Sequence, residues 1–183
     1  DVKEQLPPRH VGARNRLLYW KRLLENENSF SAVRNLEIMA KYEQALVSEI
    51  RLVWTEQRAQ VLRQLKAHFR LCILTNENLR TQLLKLSVID PQGDLFDLVL
   101  TSEEAGVEKP DPHIFALLSQ RLGNPSARDM SMVGDQQEDD LVPAGNLGWK
   151  TVRTREFVNS TVTHNAQEVL IDQLDQLPYI FKV

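Results

Sequence analysis

Two hydrophobic rhythms divide the chain. From about Val11 to Leu65 apolar residues recur every three to four positions. One run is Leu17, Leu18, Leu23 and Leu24, a second is Leu36, Met39, Leu46, Ile50 and Val53, and a third is Val61, Leu62 and Leu65. That period belongs to amphipathic helices. Between Gly12 and Asp90 there is neither glycine nor proline, which favours a few helices packed on each other. Asn26–Ser31 is the most loop-like break, with Ser31 placed to cap the next helix.

The rhythm changes at Phe69. Leu71-Cys72-Ile73-Leu74 is a short continuous apolar run, the pattern of a strand buried on both faces. Asn78–Leu86 reads as a helix and Phe96–Leu100 as another buried strand. Pro112–Leu122 is helical, with Asp111 as cap and Pro112 at the first helical position. Met130–Val133 is a third strand closed by Gly134. Asp139–Leu147 is a helix ended by Gly148, and Trp149–Val152 is a fourth strand. Val169–Ile171 is a last short strand, and Asp172 is placed to cap a final helix. Strands alternating with helices predict an α/β fold: a Rossmann-like, mostly parallel sheet with helices on both faces. The helical first third is a separate small α-helical domain.

Composition narrows the class. The 183 residues carry 22 Lys+Arg against 25 Asp+Glu, a formal net charge of −3. A dedicated nucleic-acid binder is usually basic, so no nucleic-acid partner is expected. Runs such as Leu71–Leu74 and Leu98–Leu100 are far shorter than the roughly 20 residues of a membrane span. The single cysteine, Cys72, excludes an internal disulfide and a cysteine-rich zinc site, and its place in an apolar run marks it as inert core. A reduced, cytoplasmic setting is the simplest expectation. His10, His68, His113 and His164 lack ligand spacing and read as structural or surface groups. Arg9, Arg14, Arg16, Lys21 and Arg22 are either a solvated helix face or a lip that steers anions. The chain opens at Asp1 without methionine or signal-peptide pattern and is expected to be a cut end.

Ligands of such sheets sit beyond the carboxyl ends of the strands. Thr75-Asn76 follows the first strand. Thr101-Ser102 and then Lys109-Pro110 follow the second, and Gly134-Asp135 with Asp139 and Asp140 follow the third. A hydroxyl, a lysine and carboxylates at one sheet edge suit a phosphate bound beside a divalent cation. Each piece alone has a plainer reading. Thr75-Asn76 would serve as a helix cap, Lys109 as a solvated lysine before a turn, Gly134-Asp135 as a turn, and Asp139-Asp140 as a helix N-terminal acid pair. Their order and spacing together favour the site.

That order resembles the haloacid dehalogenase (HAD) superfamily, mostly phosphatases, from Arg70 to Val152. Leu71–Asn76 is similar to its second motif, an apolar strand ending in Thr or Ser. Glu108–Phe115 is similar to its third, with Lys109 as the essential lysine. Met132–Asp140 is similar to its fourth, Gly-Asp with a second Asp five residues on, which Asp140 fits and Asp139 fits less well. Ala144–Gly148 continues the pattern. The finer likeness is to the N-acylneuraminate-9-phosphatase and pyrimidine 5′-nucleotidase subgroup. The resemblance implies a helical C1-type cap over residues 1–66 and a HAD core over 67–183. It implies a Mg²⁺-dependent phosphohydrolase acting on a small phosphorylated metabolite.

The first motif of the family, Asp-x-Asp-x-Thr/Val after an apolar strand, has no match here; Asp94…Asp97 and Asp172…Asp175 have the wrong spacing. In the family that strand is central, so its loss would leave two buried strands with unpaired backbone groups. The nucleophile and the general acid/base are therefore expected upstream of residue 1. The resemblance implies that Thr75 and the Asn76 backbone hold the phosphoryl group and that Lys109 offsets its charge. It implies further that Asp135 binds Mg²⁺ and that Asp140 binds it through water or orients Lys109. Arg14, Arg16 and Trp20 are the candidates for substrate contacts from the cap. The alternatives are a catalytically inactive HAD-like binding or interaction module, and a 2-haloacid dehalogenase, which needs no metal and leaves Asp135 and Asp140 without a task.

Overall fold

The computed structural model describes residues 6, 7, 9–156 and 169–183. His164, read above as structural or surface, lies outside them. The described residues divide into two compact units, one from within 1–55 together with 72–108, the other 56–71 with those described in 109–183.

The first unit opens with a 3₁₀ turn, Val11–Arg14, followed by helices α1 (Arg16–Asn26) and α2 (Ala32–Val53). Asn15 and Ser31 start the two helices, their side chains accepting from Leu17 N and Arg34 N; such a cap satisfies a donor the helix itself cannot. Leu24, 2% exposed, and Met39 are buried. Strand β1 (Cys72–Thr75), helix α4 (Leu79–Ile89), strand β2 (Leu98–Thr101) and the single turn α5 (Ser102–Ala105) complete the unit. The strands pair in parallel, Cys72 opposite Leu98 and Thr75 opposite Thr101. Asn78, not Thr75 or Asn76, caps α4 by accepting from Thr81 N. Asp90 closes α4 and holds the following loop, its carboxylate accepting from the backbone N–H groups of Asp94, Leu95 and Phe96.

The second unit contains α3 (Glu56–Lys66), α6 (Pro112–Arg121), β3 (Ser131–Gly134), α7 (Val142–Asn146), β4 (Lys150–Thr154), β5 (Val169–Ile171) and α8 (Leu177–Phe181). Its parallel sheet runs β3-β4-β5, with Val133 opposite Val152 and Val152 opposite Val169. Val61 and Leu65 of α3 pack with Val152, Ile171 and Leu177 into its core, each such side chain contributing about 2 kcal/mol of burial. Phe115 packs edge-on against Trp149 at 5.7 Å. Asp111 caps α6 through His113 N, and Pro112 occupies the first turn, as predicted.

The α/β reading holds, with corrections in detail. Among the described residues the strands pair as β1-β2 and as β3-β4-β5, where one sheet was expected. The run 71–74, expected to be buried on both faces, is only half-buried, Cys72 included. The reason is that β1 has one strand neighbour among the described residues. The helix predicted over Asp139–Leu147 is a π-turn, Gln137–Leu141, followed by α7. Pro143 has no N–H to return to the Asp139 carbonyl, and Val142 N–H reaches back five residues to Gln137 O instead. Asp172 does not cap the last helix. Its side chain pairs with Arg155, and Gln176 Oε1 accepts from Asp172 N and Gln173 N. His10, His68 and His113 are exposed, as expected.

Candidate active site

Lys109 and Asp140 form an enclosed polar pair in the second unit. Lys109 is 8% exposed and Asp140 4%, and Lys109 Nζ donates to Asp140 Oδ1 at 2.6 Å. Two local features bring the carboxylate there. The π-turn folds Asp140 back over the end of β3, where its Oδ2 accepts from Gln136 N at 3.3 Å. Gly134 leaves the space it occupies: a β-carbon at that position would stand 2.5 Å from Asp140 Oδ2 and 2.7 Å from its Cβ. Glycine is needed at 134 for close approach, not for backbone conformation.

Asp135 is exposed on the same loop. Gln136 Nε2 donates to its Oδ2 at 2.7 Å, while Oδ1 accepts nothing among the described residues. A hard oxygen donor at a strand end suits Mg²⁺ in kind. In number the set is short: Asp140 is taken by Lys109, and among the described residues no three His, Cys, Asp or Glu converge where a metal would sit. The residues present fit one carboxylate ligand to Mg²⁺, from Asp135.

Thr75 ends β1 in the first unit, with Asn76 after it. The loop that follows gathers the cap candidates. Asn78 Nδ2 donates to Arg14 O at 2.7 Å, and Arg16 Nη2 lies 3.9 Å from Glu77 Oε2. Arg14 itself is spent on Glu108, a two-pronged pair at 2.8 and 3.1 Å. The hydrogen bond to the buried Glu108 carboxylate holds the Arg14 guanidinium above its usual pKa, so it stays charged. Arg16 Nε donates to Tyr42 Oη at 3.3 Å, and Trp20 packs edge-on against Tyr42 at 6.2 Å, its Nε1 buried without a partner. Of the remaining basic group, Lys21 pairs with Glu25 on the surface of α1 and Arg22 is exposed, the solvated-face reading.

Two residues escaped the sequence reading, Glu77 and Glu108 as a buried acceptor, and Asn78 entered it only as the start of a helix. Glu77 and Glu108 are 7% and 5% exposed. A carboxylate two residues after a strand-end hydroxyl was a signal for the first. Glu108 had no local signal, since its partner is 94 residues away.

Comparison with known proteins agrees with this geometry. Residues 7–148 match the haloacid dehalogenase-like hydrolase family. The chain is 33% identical over 165 residues to ribulose-1,5-bisphosphate 5-phosphatase of Halopiger xanaduensis, covering 89% of this chain and 67% of that protein. It is 33% identical over 115 residues to N-acylneuraminate-9-phosphatase of Homo sapiens, covering 57% of this chain and 46% of that protein. The chain thus spans about two thirds or less of these relatives. The HAD hydrolase YfnB of Bacillus subtilis, solved bound to magnesium, superposes with a TM-score of 0.65 at 22% identity over 88% of this chain and 68% of that one. At that identity the likeness speaks for the fold. With its residues 7–148 matched and its strand-end motifs in order, the chain belongs to the haloacid dehalogenase-like hydrolases.

Proposed function

We propose that the chain is the larger part of a Mg²⁺-dependent phosphohydrolase that acts on a small phosphomonoester through an aspartyl-phosphate. The observation that carries the reading is the buried Lys109–Asp140 pair at the end of β3, with Asp135 exposed beside it. A lysine held this firmly by a carboxylate is a placed positive charge, the kind that stabilises a transferring phosphoryl group. Relatives named as phosphatases of ribulose-1,5-bisphosphate and N-acylneuraminate 9-phosphate favour the same chemistry.

In this reading Thr75 Oγ1 and the Asn76 N–H hold phosphoryl oxygens, Lys109 offsets their charge, and Asp140 orients Lys109. Asp135 would hold Mg²⁺, which when bound draws charge from the phosphoryl oxygens. The attacking carboxylate belongs to chain outside the 183 residues. It forms a bond to phosphorus as the phosphorus–alcohol bond breaks, the alcohol takes a proton from a second carboxylic acid, and water then hydrolyses the acyl phosphate. The half-buried β1 and the edge position of β3 suit an added strand bearing those carboxylates. Within residues 1–66, the expected cap, α1 and α2 would select substrate, with Arg16 and Trp20 as its contacts and Arg14 fixing the 3₁₀ turn, whereas α3 packs into the core of the second unit. Residues 67–183 are the core. The enzyme works in the cytoplasm, which one thiol and a small polar substrate suit; among the described residues no helix is long and apolar enough to cross a membrane.

The test is hydrolysis of p-nitrophenyl phosphate. The full-length gene product should turn it over with Mg²⁺ and lose most of that activity on Asp135→Asn. The 183-residue chain alone should remain at background. A full-length product that carries the upstream carboxylates and is inactive on every phosphomonoester would leave the binding-module reading instead.

A further inference from the structure

Glu77 is buried immediately after Thr75-Asn76, and its two oxygens have different company. Oε1 accepts from Asn78 N at 3.0 Å and from Asn78 Nδ2 at 3.2 Å. Oε2 faces two cations, Arg16 Nη2 at 3.9 Å and Lys85 Nζ at 3.8 Å. Both distances are ion pairs too long for hydrogen bonds. Lys85 Nζ and the Arg16 Nη groups therefore keep their donors unspent among the described residues. Arg16 is positioned all the same. Its Nε donates to Tyr42 Oη, and its guanidinium lies 5.5 Å from the centre of the Tyr19 ring. The side chains of Arg16 and Lys85 are 26% and 33% exposed, open enough for a solute to reach.

The charge count favours an anion. Arg14 is neutralised by Glu108, which leaves two cations on one carboxylate, so the Glu77–Arg16–Lys85 cluster sums to +1; Glu103 is engaged separately, accepting from Leu79 N at 2.8 Å. Two cations within 4 Å of one oxygen lie within roughly 8 Å of each other, a gap that a single carboxylate or phosphate bridges. Glu77 is the counter-ion that keeps them together when nothing is bound. Its α-carbon is no more than about 7 Å from that of Thr75, the length of a small metabolite.

We propose that Arg16 and Lys85 form an anion-recognition subsite beside the β1–α4 loop, and that the substrate is a phosphomonoester carrying a second anionic group, a carboxylate or another phosphate. The substrate half of this statement rests on the phosphatase reading; the subsite does not. Isothermal titration of the full-length protein at one salt concentration, with two pairs of probes, tests it. Glycerate 3-phosphate against glycerol 3-phosphate reads a carboxylate, and fructose 1,6-bisphosphate against fructose 6-phosphate reads a second phosphate. At least one probe with the second anionic group should bind about tenfold more tightly than its partner, the scale of a charged hydrogen bond. Lys85→Gln, at a half-exposed position that the fold tolerates, should remove most of that preference, as should Arg16→Gln. Glu77→Gln raises the local charge to +2 and should increase the preference about threefold, an effect a purely structural ion network would reverse. Equal affinities within both pairs, or a preference lowered by Glu77→Gln, overturns the subsite. Hydrolysis of the same compounds is read separately. A binding preference without turnover removes the phosphatase reading and keeps the subsite, and turnover without preference does the opposite.

Discussion

Asp140 touches three things at once: the Lys109 ammonium, the Gln136 backbone and the bare α-carbon of Gly134. Breaking one partner of a buried pair leaves the other charge stranded, which typically costs 3–5 kcal/mol. Asp140→Asn should therefore lower the thermal midpoint by several degrees as well as remove activity. Lys109→Ala should do the same, so activity lost in that variant has to be read beside a melting curve. Gly134→Ala drives a β-carbon into the Asp140 side chain; overpacking of this kind costs about 1–3 kcal/mol. Because its damage acts through the Asp140 side chain, Cβ included, Gly134→Ala should cost little more when added to Asp140→Gly, which removes both clashing groups. A double-mutant cycle on stability that found simple additivity would contradict this link.

The helices of the first unit are set by local chemistry and joined by a few surface groups. Ser31→Ala removes the acceptor for Arg34 N and should cost about 1 kcal/mol in urea unfolding. Asn78→Ala should cost more, because the same side chain both caps α4 and donates to Arg14 O. Between α2 and α4, Arg80 holds Glu43 in a two-pronged pair. That hydrogen bond, outweighing burial, keeps the Glu43 carboxyl below its ordinary pKa. A group with a depressed folded pKa contributes stability above the unfolded value and loses it as pH falls through the folded one. Glu43→Gln should therefore lower the urea midpoint at neutral pH. The difference from the native protein should close below the carboxylate range, roughly pH 4. A difference that persisted unchanged at pH 3 would remove the ion pair as its cause.

For the molecule as a whole, the unfinished feature is the sheet edge. Each of β1 and β3 has one strand neighbour among the described residues, and two-stranded sheets are marginal alone. On the proposed reading the full-length protein supplies both a strand and further oxygen ligands. Saturating Mg²⁺ at about 100 times its Kd adds about 2.7 kcal/mol to a protein that binds it only when folded. Differential scanning calorimetry should show a Mg²⁺-dependent rise of several degrees for the full-length protein and a much smaller one for the 183-residue chain. Equal shifts would mean that Glu138 or Asp139 completes the shell with Asp135.

Much of this was readable before any coordinate. The apolar runs at 71–74, 96–100 and 130–133 became strands within two residues of their expected places, and Asp111-Pro112 started its helix as predicted. Period, cap and turn chemistry act over a few residues, so they are written locally. The positions of Thr75 at the end of β1 and of Asp135 and Asp140 after β3 follow from the same local patterns, while the roles of these residues and of Lys109 are part of the proposal. The rest depended on folding. Lys109 meets Asp140 across 31 residues and Arg14 meets Glu108 across 94, and no local pattern specifies either partner. The π-turn arose because Pro143 withholds one N–H while Asp140 is held by its neighbours. Glu77 became a counter-ion only when α1 and α4 carried Arg16 and Lys85 to the end of β1. A residue's own chemistry is present in the chain, but its partner, burial and effective charge are set by what the fold packs against it.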